Sequence, residues 1–551
     1  MRSKVSLVLL ALASSSSALQ TISRVGRYLY GADGNRFYIK GMSYQEQGNI
    51  TSTNPDSFPE PSTFVDPLAD PAGCARDLPY MKELGLNAIR VYSVDSSLNH
   101  DACMSALSQA GIYTIIDLAL PVNGSIDRAS PAWTINILDL YIKTIDTFAK
   151  YDNVLAYNVG NEVAISAEGT VAGPFVKAAA RDIKAYLSAH KLTTLVGYAA
   201  VDAPDTWRLP FAEYLSCDSE GDSIDLYGLN NYEWCGSDSF ASAYQNTENA
   251  FANYNIPAYF SEYGCVTSPP RLWTEVQALF GPQMIPVWSG GLAFSYFPAF
   301  GGFGMVNIST DGKTVTVSDD FTRLQTQYAT VNFTNSPTKA DAGTTSYPSC
   351  PADTTTFLAS TTLPPTPNSK LCDCVAQSFS CLFTPQTSNY TAIIGSLLDF
   401  GCSQLGSSGG NCDIIASNGQ NGTYGSLSGC DPPTKLSYVM SSIYESSNRD
   451  AQACNFSGNA TINPSAPPSR TAANAAAQSC LNANPATTFA PTSVPLSNAQ
   501  SSTSSGSSAT SSSTKKSSAG SKHVGIVHGT TLIGTGAVIL GALASGVWVL
   551  L

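Results

Sequence analysis

Residues 154–162 read VLAYNVGNE, a largely apolar run (154–159) that breaks off at an amide and a carboxylate, Asn161 and Glu162. A short run with apolar residues on both faces is the mark of a strand covered on both sides, as in parallel sheets. Comparable β-rich runs lie on either side of it, at 37–45, 88–94 and 113–118 before, and at 194–200, 225–232, 258–264 and 292–297 after. Amphipathic stretches at 74–84, 100–110, 134–151, 175–190, 240–253 and 272–280 separate them. Strand–helix alternation implies a parallel sheet with crossover helices, and eight units over roughly 260 residues fit an α/β fold, the (β/α)8 TIM-type barrel. An open doubly wound sheet is the competing arrangement, but no glycine-rich phosphate loop follows the first run.

In such a barrel, chemistry gathers at the C-terminal strand ends. Read in order, those ends carry Gln45, Arg90 and Tyr92, Asp117, Asn161 and Glu162, Asp202 just beyond the fifth run, Tyr232, Glu262 and Tyr296. Glu162 and Glu262 each close an apolar run, where an unpaired carboxylate is costly. A lone Asn-Glu at a strand end is as often a surface pair, but two glutamates on one rim suggest a site. Retaining glycosidases need two carboxyl groups about 5–5.5 Å apart, one protonated to release the leaving sugar and one ionised to attack the anomeric carbon. Glu162 is the expected acid/base and Glu262 the nucleophile. Arg90 shares a strand face with Tyr92, and beside Glu262 it would hold that carboxylate ionised. Tyr232 could orient Glu262, and Asn161 could bind the sugar 2-hydroxyl. The plainer alternatives are a structural salt bridge for Arg90 and core packing for Tyr92 and Tyr296.

The 551 residues carry a net charge of -13 and only 13% charged residues, with no basic stripe for a nucleic acid. The 26 tyrosines suit a neutral, hydroxyl-rich ligand, with Tyr232, Trp234 and Tyr296 as aromatic platforms. Residues 1–18 have the basic start, apolar run and small-residue end of a secretory signal. The apolar, uncharged tail 531–551 follows a spacer and small residues, the pattern for GPI attachment, at Ser518 or Gly520. Secretion makes the 14 cysteines disulfide partners. It also makes the sequons at Asn49, Asn123, Asn307, Asn332, Asn389, Asn421, Asn455 and Asn459 glycan acceptors. The expected order is signal 1–18, catalytic domain 19–350, Thr/Pro-rich linker 351–370, module 371–484, Ser/Thr-rich stalk 485–520 and removed anchor signal 521–551. The module holds Cys372, Cys374, Cys381, Cys402, Cys412, Cys430, Cys454 and Cys480, an even set whose pairing spacing alone leaves open. Zinc is disfavoured there, since no histidine lies within the module.

The motifs YNVGNE (157–162), NYEWCG (231–236), FSEYG (260–264) and LAFSYF (292–297) together resemble the fungal GPI-anchored β-1,3-glucanosyltransferases. The opening Cys372-Asp373-Cys374 is similar to the eight-cysteine glucan-binding module, small and mainly helical, that some members carry. The resemblance implies that Glu162 and Glu262 keep their roles and that Tyr92, Asn161 and Tyr296 contact the donor sugar. Asp202 and Arg208 fall on the acceptor side, and Gln45, Asp117 and Tyr232 complete the substrate-binding set. It further implies disulfides Cys74–Cys103, Cys217–Cys350 and Cys235–Cys265. β-1,3-Glucan donor and acceptor chains are the expected partners of a monomer at the outer face of the plasma membrane, with no metal or cofactor required. A hydrolytic endo-β-1,3-glucanase and a non-catalytic glucan-binding wall protein are the competing functions.

Overall fold

The computed structural model describes residues 19–49, 61–121, 124–387 and 390–484. The signal segment, the stalk, the anchor signal with Ser518 and Gly520, and the sequon residues Asn123 and Asn389 lie outside these residues. Eight parallel strands close into a barrel: β1 (Ile39–Ser43), β2 (Ala88–Val91), β3 (Tyr113–Asp117), β4 (Val154–Asn161), β5 (Leu195–Val201), β6 (Leu226–Asn230), β7 (Ala258–Tyr263) and β8 (Trp288–Ala293), with β8 pairing back onto β1. Strands β2, β3, β6, β7 and β8 are buried at every residue, the burial their apolar composition demands.

Helices α1 (Pro71–Glu83), α2 (Asp101–Gln109), α3 (Ile135–Phe148), α4 (Gly173–Ala189), α5 (Asp205–Leu215), α6 (Phe240–Ala243), α7 (Gln245–Phe251), α8 (Glu275–Leu279) and α9 (Asp319–Tyr328) form the connections and outer layer. Two boundaries depart from the pattern read in the sequence. Helix α5, with Pro204 at its start and Pro210 inside it, lacks a helical signature, yet packs Trp207, Phe211 and Leu215 inward. Strand β8 begins at Trp288, not Leu292, because the glycines that obscure it are required there. At Gly290, with φ +87°, a Cβ would lie 2.3 Å from the Ile39 carbonyl of β1.

The C-terminal module is built on α10 (Ser369–Ala376), α11 (Thr391–Ser407), α12 (Pro432–Ser446) and α13 (Arg470–Ala483), with a short antiparallel pair, Cys381–Phe383 and Ala460–Ile462. Disulfides Cys372–Cys430, Cys374–Cys480, Cys381–Cys454 and Cys402–Cys412 staple a core of Leu371, Val375, Phe379, Val439 and Ile443. The barrel carries Cys74–Cys103, Cys217–Cys350 and Cys235–Cys265. Of the sequon residues described, Asn49, Asn307, Asn332, Asn421 and Asn455 are exposed and Asn459 is half-buried.

Residues 351–370 do not hang free as their Thr/Pro content suggests. Phe357 and Ala359 are buried in the barrel's outer core. Arg181 on α4 donates to the Pro364 carbonyl at 3.0 Å, and Thr366 donates to Asp182 at 2.7 Å. The module joins the same face, where Ile135 N–H donates to the Gly429 carbonyl (2.9 Å) and Tyr424 meets Phe175 edge to face. Contact is closest at Gly419, where a Cβ would stand 2.0 Å from the Val171 carbonyl. Gly419→Val is therefore expected to cost about 1–3 kcal/mol and lower the melting temperature, whereas Gly406→Ala should not, since a Cβ at Gly406 meets open space. Differential scanning fluorimetry of both variants checks this.

Candidate active site

Strands β4 and β7 each carry one extra residue near the end. Between Asn158 and Asn161, β4 advances three residues while β5 advances two, from Gly197 to Ala199. Between Phe260 and Glu262, β7 advances two while β6 advances one, from Leu229 to Asn230. Such bulges re-aim the side chains that follow them. Consecutive residues Asn161 and Glu162 thus both enter the barrel mouth, with Glu162 in the left-handed region at φ 47°. That conformation costs a non-glycine residue about 1–2 kcal/mol.

At the floor of the mouth lies Arg90, with no exposed surface. Its Nε and Nη2 donate to the two oxygens of Asp117 at 3.2 and 2.7 Å. Nη2 also donates to Asn161 Oδ1 (2.8 Å), and Nη1 donates to Glu262 Oε1 (3.1 Å) and Asn230 Oδ1 (3.3 Å). Glu262 further accepts from the Tyr92 hydroxyl on Oε1 (2.8 Å) and the Tyr232 hydroxyl on Oε2 (2.7 Å). Glu162 Oε1 accepts from Asn230 Nδ2 at 2.7 Å. The Asn230 amide therefore links the carboxylates, one end on Glu162 and the other on the arginine that grips Glu262. Ser261 fixes that amide's orientation by donating to Asn230 Oδ1 at 2.8 Å.

Burial pushes the Glu262 carboxyl up to about 7, with Arg90 and the two phenols opposing and the charge of Glu162 adding to the rise. Arg90 pulls the Glu262 carboxyl down against burial without cancelling the rise.

Other predicted residues fall at varied depths. Gln45 spends its amide on backbone, accepting from Tyr92 and Ser93 N–H and donating to the Val65 carbonyl. Asp117 lies beneath the mouth, held by Arg90 and by Asn158 at 2.6 Å, so its carboxylate orients the guanidinium and does not face the cleft. Tyr296 has no exposed surface. The fully buried Asp77, held by Arg76, also accepts from the hydroxyls of both Tyr296 (2.9 Å) and Tyr44 (2.8 Å). Trp234 is likewise packed inside, its Nε1 on Thr274. The half-buried rings beside the glutamates are Tyr92 and Tyr232 themselves, with Phe294 edge-on to both and Phe303 against Tyr232.

Asp202 and Arg208 meet on the β5–β6 side, where Arg208 also pairs with Asp205 and lies 3.6 Å from Glu233. Burial, opposed by Arg208 and reinforced by Glu233, raises Asp202 to about 7. A cavity of about 650 Å³ at the opposite end of the barrel, lined by Arg27, Tyr28, Asn255, Pro286 and Asp341, has no comparable carboxylate pair.

A closed parallel barrel with glutamates at the ends of its fourth and seventh strands is the frame of a glycoside-cleaving enzyme. The chain belongs to the Glucanosyltransferase family, which residues 11–332 match, and residues 379–461 match the X8 domain. It is 40% identical over 441 residues to 1,3-beta-glucanosyltransferase gas1 of Schizosaccharomyces pombe, covering 79% of this chain and 78% of that protein. Protein EPD1 of Candida maltosa is 40% identical over 448 residues, covering 81% and 78%. Among solved structures, a Saccharomyces cerevisiae Gas2p mutant in complex with laminaritetraose and laminaripentaose is similar, with a TM-score of 0.73, 33% identity and coverage of 84% of this chain and 99% of that one.

Glu275 is a third carboxyl raised by desolvation to about 7, alongside Glu262 and the half-buried Asp202. Each ionises near pH 4 when unfolded, so from there to about 7 the folded state binds more protons and stability falls as pH rises. The melting temperature is expected to be higher at pH 5 than at pH 7.5, by on the order of 5 °C. Glu275→Gln should flatten that slope, as thermal melts across the range will read.

Proposed function

We propose that this chain is a retaining β-1,3-glucanosyltransferase that cleaves a β-1,3-glucan internally and joins the new reducing end to the non-reducing end of another. The observation that carries this reading is a pair of glutamates at one barrel mouth, linked through the Asn230 amide. Glu262 gathers a guanidinium and two phenols. Donors of that kind favour the charged form, the state a nucleophile needs, which leaves Glu162 the part of the acid.

With a β-1,3 linkage across the pair, Glu262 attacks the anomeric carbon and the bond to the leaving oxygen breaks. Glu162 gives its proton to that oxygen, and the reducing-end fragment departs. Glu162, now ionised, takes the proton of an acceptor 3-hydroxyl, whose oxygen displaces Glu262 and restores the β linkage. Asn161, with its Oδ1 taken by Arg90 and Asn230, turns its Nδ2 toward the sugar 2-hydroxyl. Transfer outcompetes water only if the acceptor is held beside the intermediate, and the Asp202–Arg208–Glu233 cluster provides polar groups for that. The relatives named as 1,3-beta-glucanosyltransferases support this chemistry. The signal-like residues 1–18 and the apolar residues 531–551 support a place at the outer face of the plasma membrane, held by a GPI lipid.

A reduced laminari-oligosaccharide donor incubated with an unreduced acceptor tests the reading. Products longer than either are expected by chromatography, and exclusively shorter ones would mean a hydrolase. Glu162→Gln and Glu262→Gln should each lower turnover by at least about 100-fold; unchanged activity in either variant would refute its assigned role.

A further inference from the structure

We propose that Arg128 and Tyr198 are positioning residues that clamp a single peptide group, that between Glu162 and Val163, and so set where the acid/base carboxyl can reach. The proposal rests on the assignment of Glu162 as acid/base. In each turnover that carboxyl must hand a proton to one oxygen and take one from another, so its location matters twice.

Its backbone is poorly placed to stay put by itself. Strand β4 ends at Asn161, and Glu162 follows a bulge with φ 47°, outside the sheet ladder, so the ladder does not orient the peptide plane that comes next. Both polar ends of that plane are held. Arg128 Nε donates to the Glu162 carbonyl at 2.7 Å, and the Val163 N–H donates to the Tyr198 hydroxyl at 2.9 Å. On the preceding peptide, Glu162 N–H donates to the Ala199 carbonyl of β5 at 2.8 Å.

The clamping groups are themselves fixed. Tyr198, on β5, has no exposed surface and packs on Phe211. Gly160 lies so close that a Cβ there would stand 3.2 Å from the Tyr198 ring and 2.9 Å from Val163 Cγ2. Arg128 is presented by a turn in which Asp127 Oδ1 accepts from the N–H groups of Ala129 and Ser130, both at 2.8 Å, next to the buried Ile126.

The test separates loss of acid positioning from general damage by varying the leaving group. An internal glucan linkage needs its leaving oxygen protonated, whereas dinitrophenolate departs with the bonding electron pair and takes no proton. Arg128→Met, Arg128→Lys, Tyr198→Phe and Glu162→Gln are compared in the full-length protein on a laminari-oligosaccharide and on the 2,4-dinitrophenyl β-glycoside of laminaripentaose. The readouts are kcat and KM on the first and the dinitrophenolate burst on the second. Arg128→Met and Tyr198→Phe should lower kcat on the oligosaccharide by about 10- to 100-fold with little change in KM, while the burst rate stays within about twofold of wild type. Arg128→Lys should recover part of the loss. Tyr198→Phe removes no charge, so it distinguishes the clamp from an electrostatic effect of the guanidinium, and it serves alone if Arg128→Met does not fold. Equal slowing of both donors, or of neither, overturns the proposal. If Glu162→Gln also slows both donors equally, the acid/base assignment falls, and the clamp with it.

Discussion

A guanidinium sealed from water needs compensation on every side, or the barrel could not tolerate it. Arg90, on the second strand, meets that demand with groups from the ends of the third, fourth, sixth and seventh strands: Asp117, Asn161, Asn230 and Glu262, together with the Ser261 carbonyl at 3.3 Å. The mouth is thus tied together around one cation. Its charge is met by both Asp117 and Glu262, two carboxyls to one arginine. Burial therefore keeps the upper hand at Glu262 and holds its carboxyl above the ordinary range.

Arginines at other points of the rim follow the same pattern. Arg208 satisfies Asp202, Asp205 and Glu233. Arg271 pairs with Asp320, donates to the Phe294 carbonyl at 2.7 Å and stacks over Trp273. These contacts fix the half-buried aromatic edge beside Glu262 without leaving the cations in solvent. A rim whose arginines are spent on its own carboxylates presents hydroxyls, amides and ring edges to a ligand, which suits a polysaccharide that carries no charge.

Much of the scaffold was legible because parallel strands covered on both sides must be apolar, and because the glutamates interrupt that apolarity. The eight-unit alternation and the positions of Glu162 and Glu262 could be read on those grounds. What remained hidden depends on contacts between distant residues. Its place at the end of the run 292–297 put Tyr296 among the site residues, but the chain leaves the sheet after Ala293, and the ring packed on Tyr92 and Tyr232 is Phe294. Composition marked 351–370 as a tether, while Phe357 finds a buried slot that no local pattern announces. Bulges in β4 and β7 have no sequence signature, because they exist only in register with a neighbour. Arg128 lies in a turn with no periodicity, and only its reach to the Glu162 carbonyl reveals it.

The cross-links have a consequence for a protein exposed to secreted proteases. Cys217–Cys350 encloses the last three barrel strands, including the segment that bears Glu262, and Cys374–Cys480 encircles nearly the whole module. A single nick at any peptide bond inside either loop leaves both fragments covalently joined. Such a molecule would migrate as one species until its thiols were reduced, so intact mass under oxidising conditions is no guarantee of an unbroken backbone.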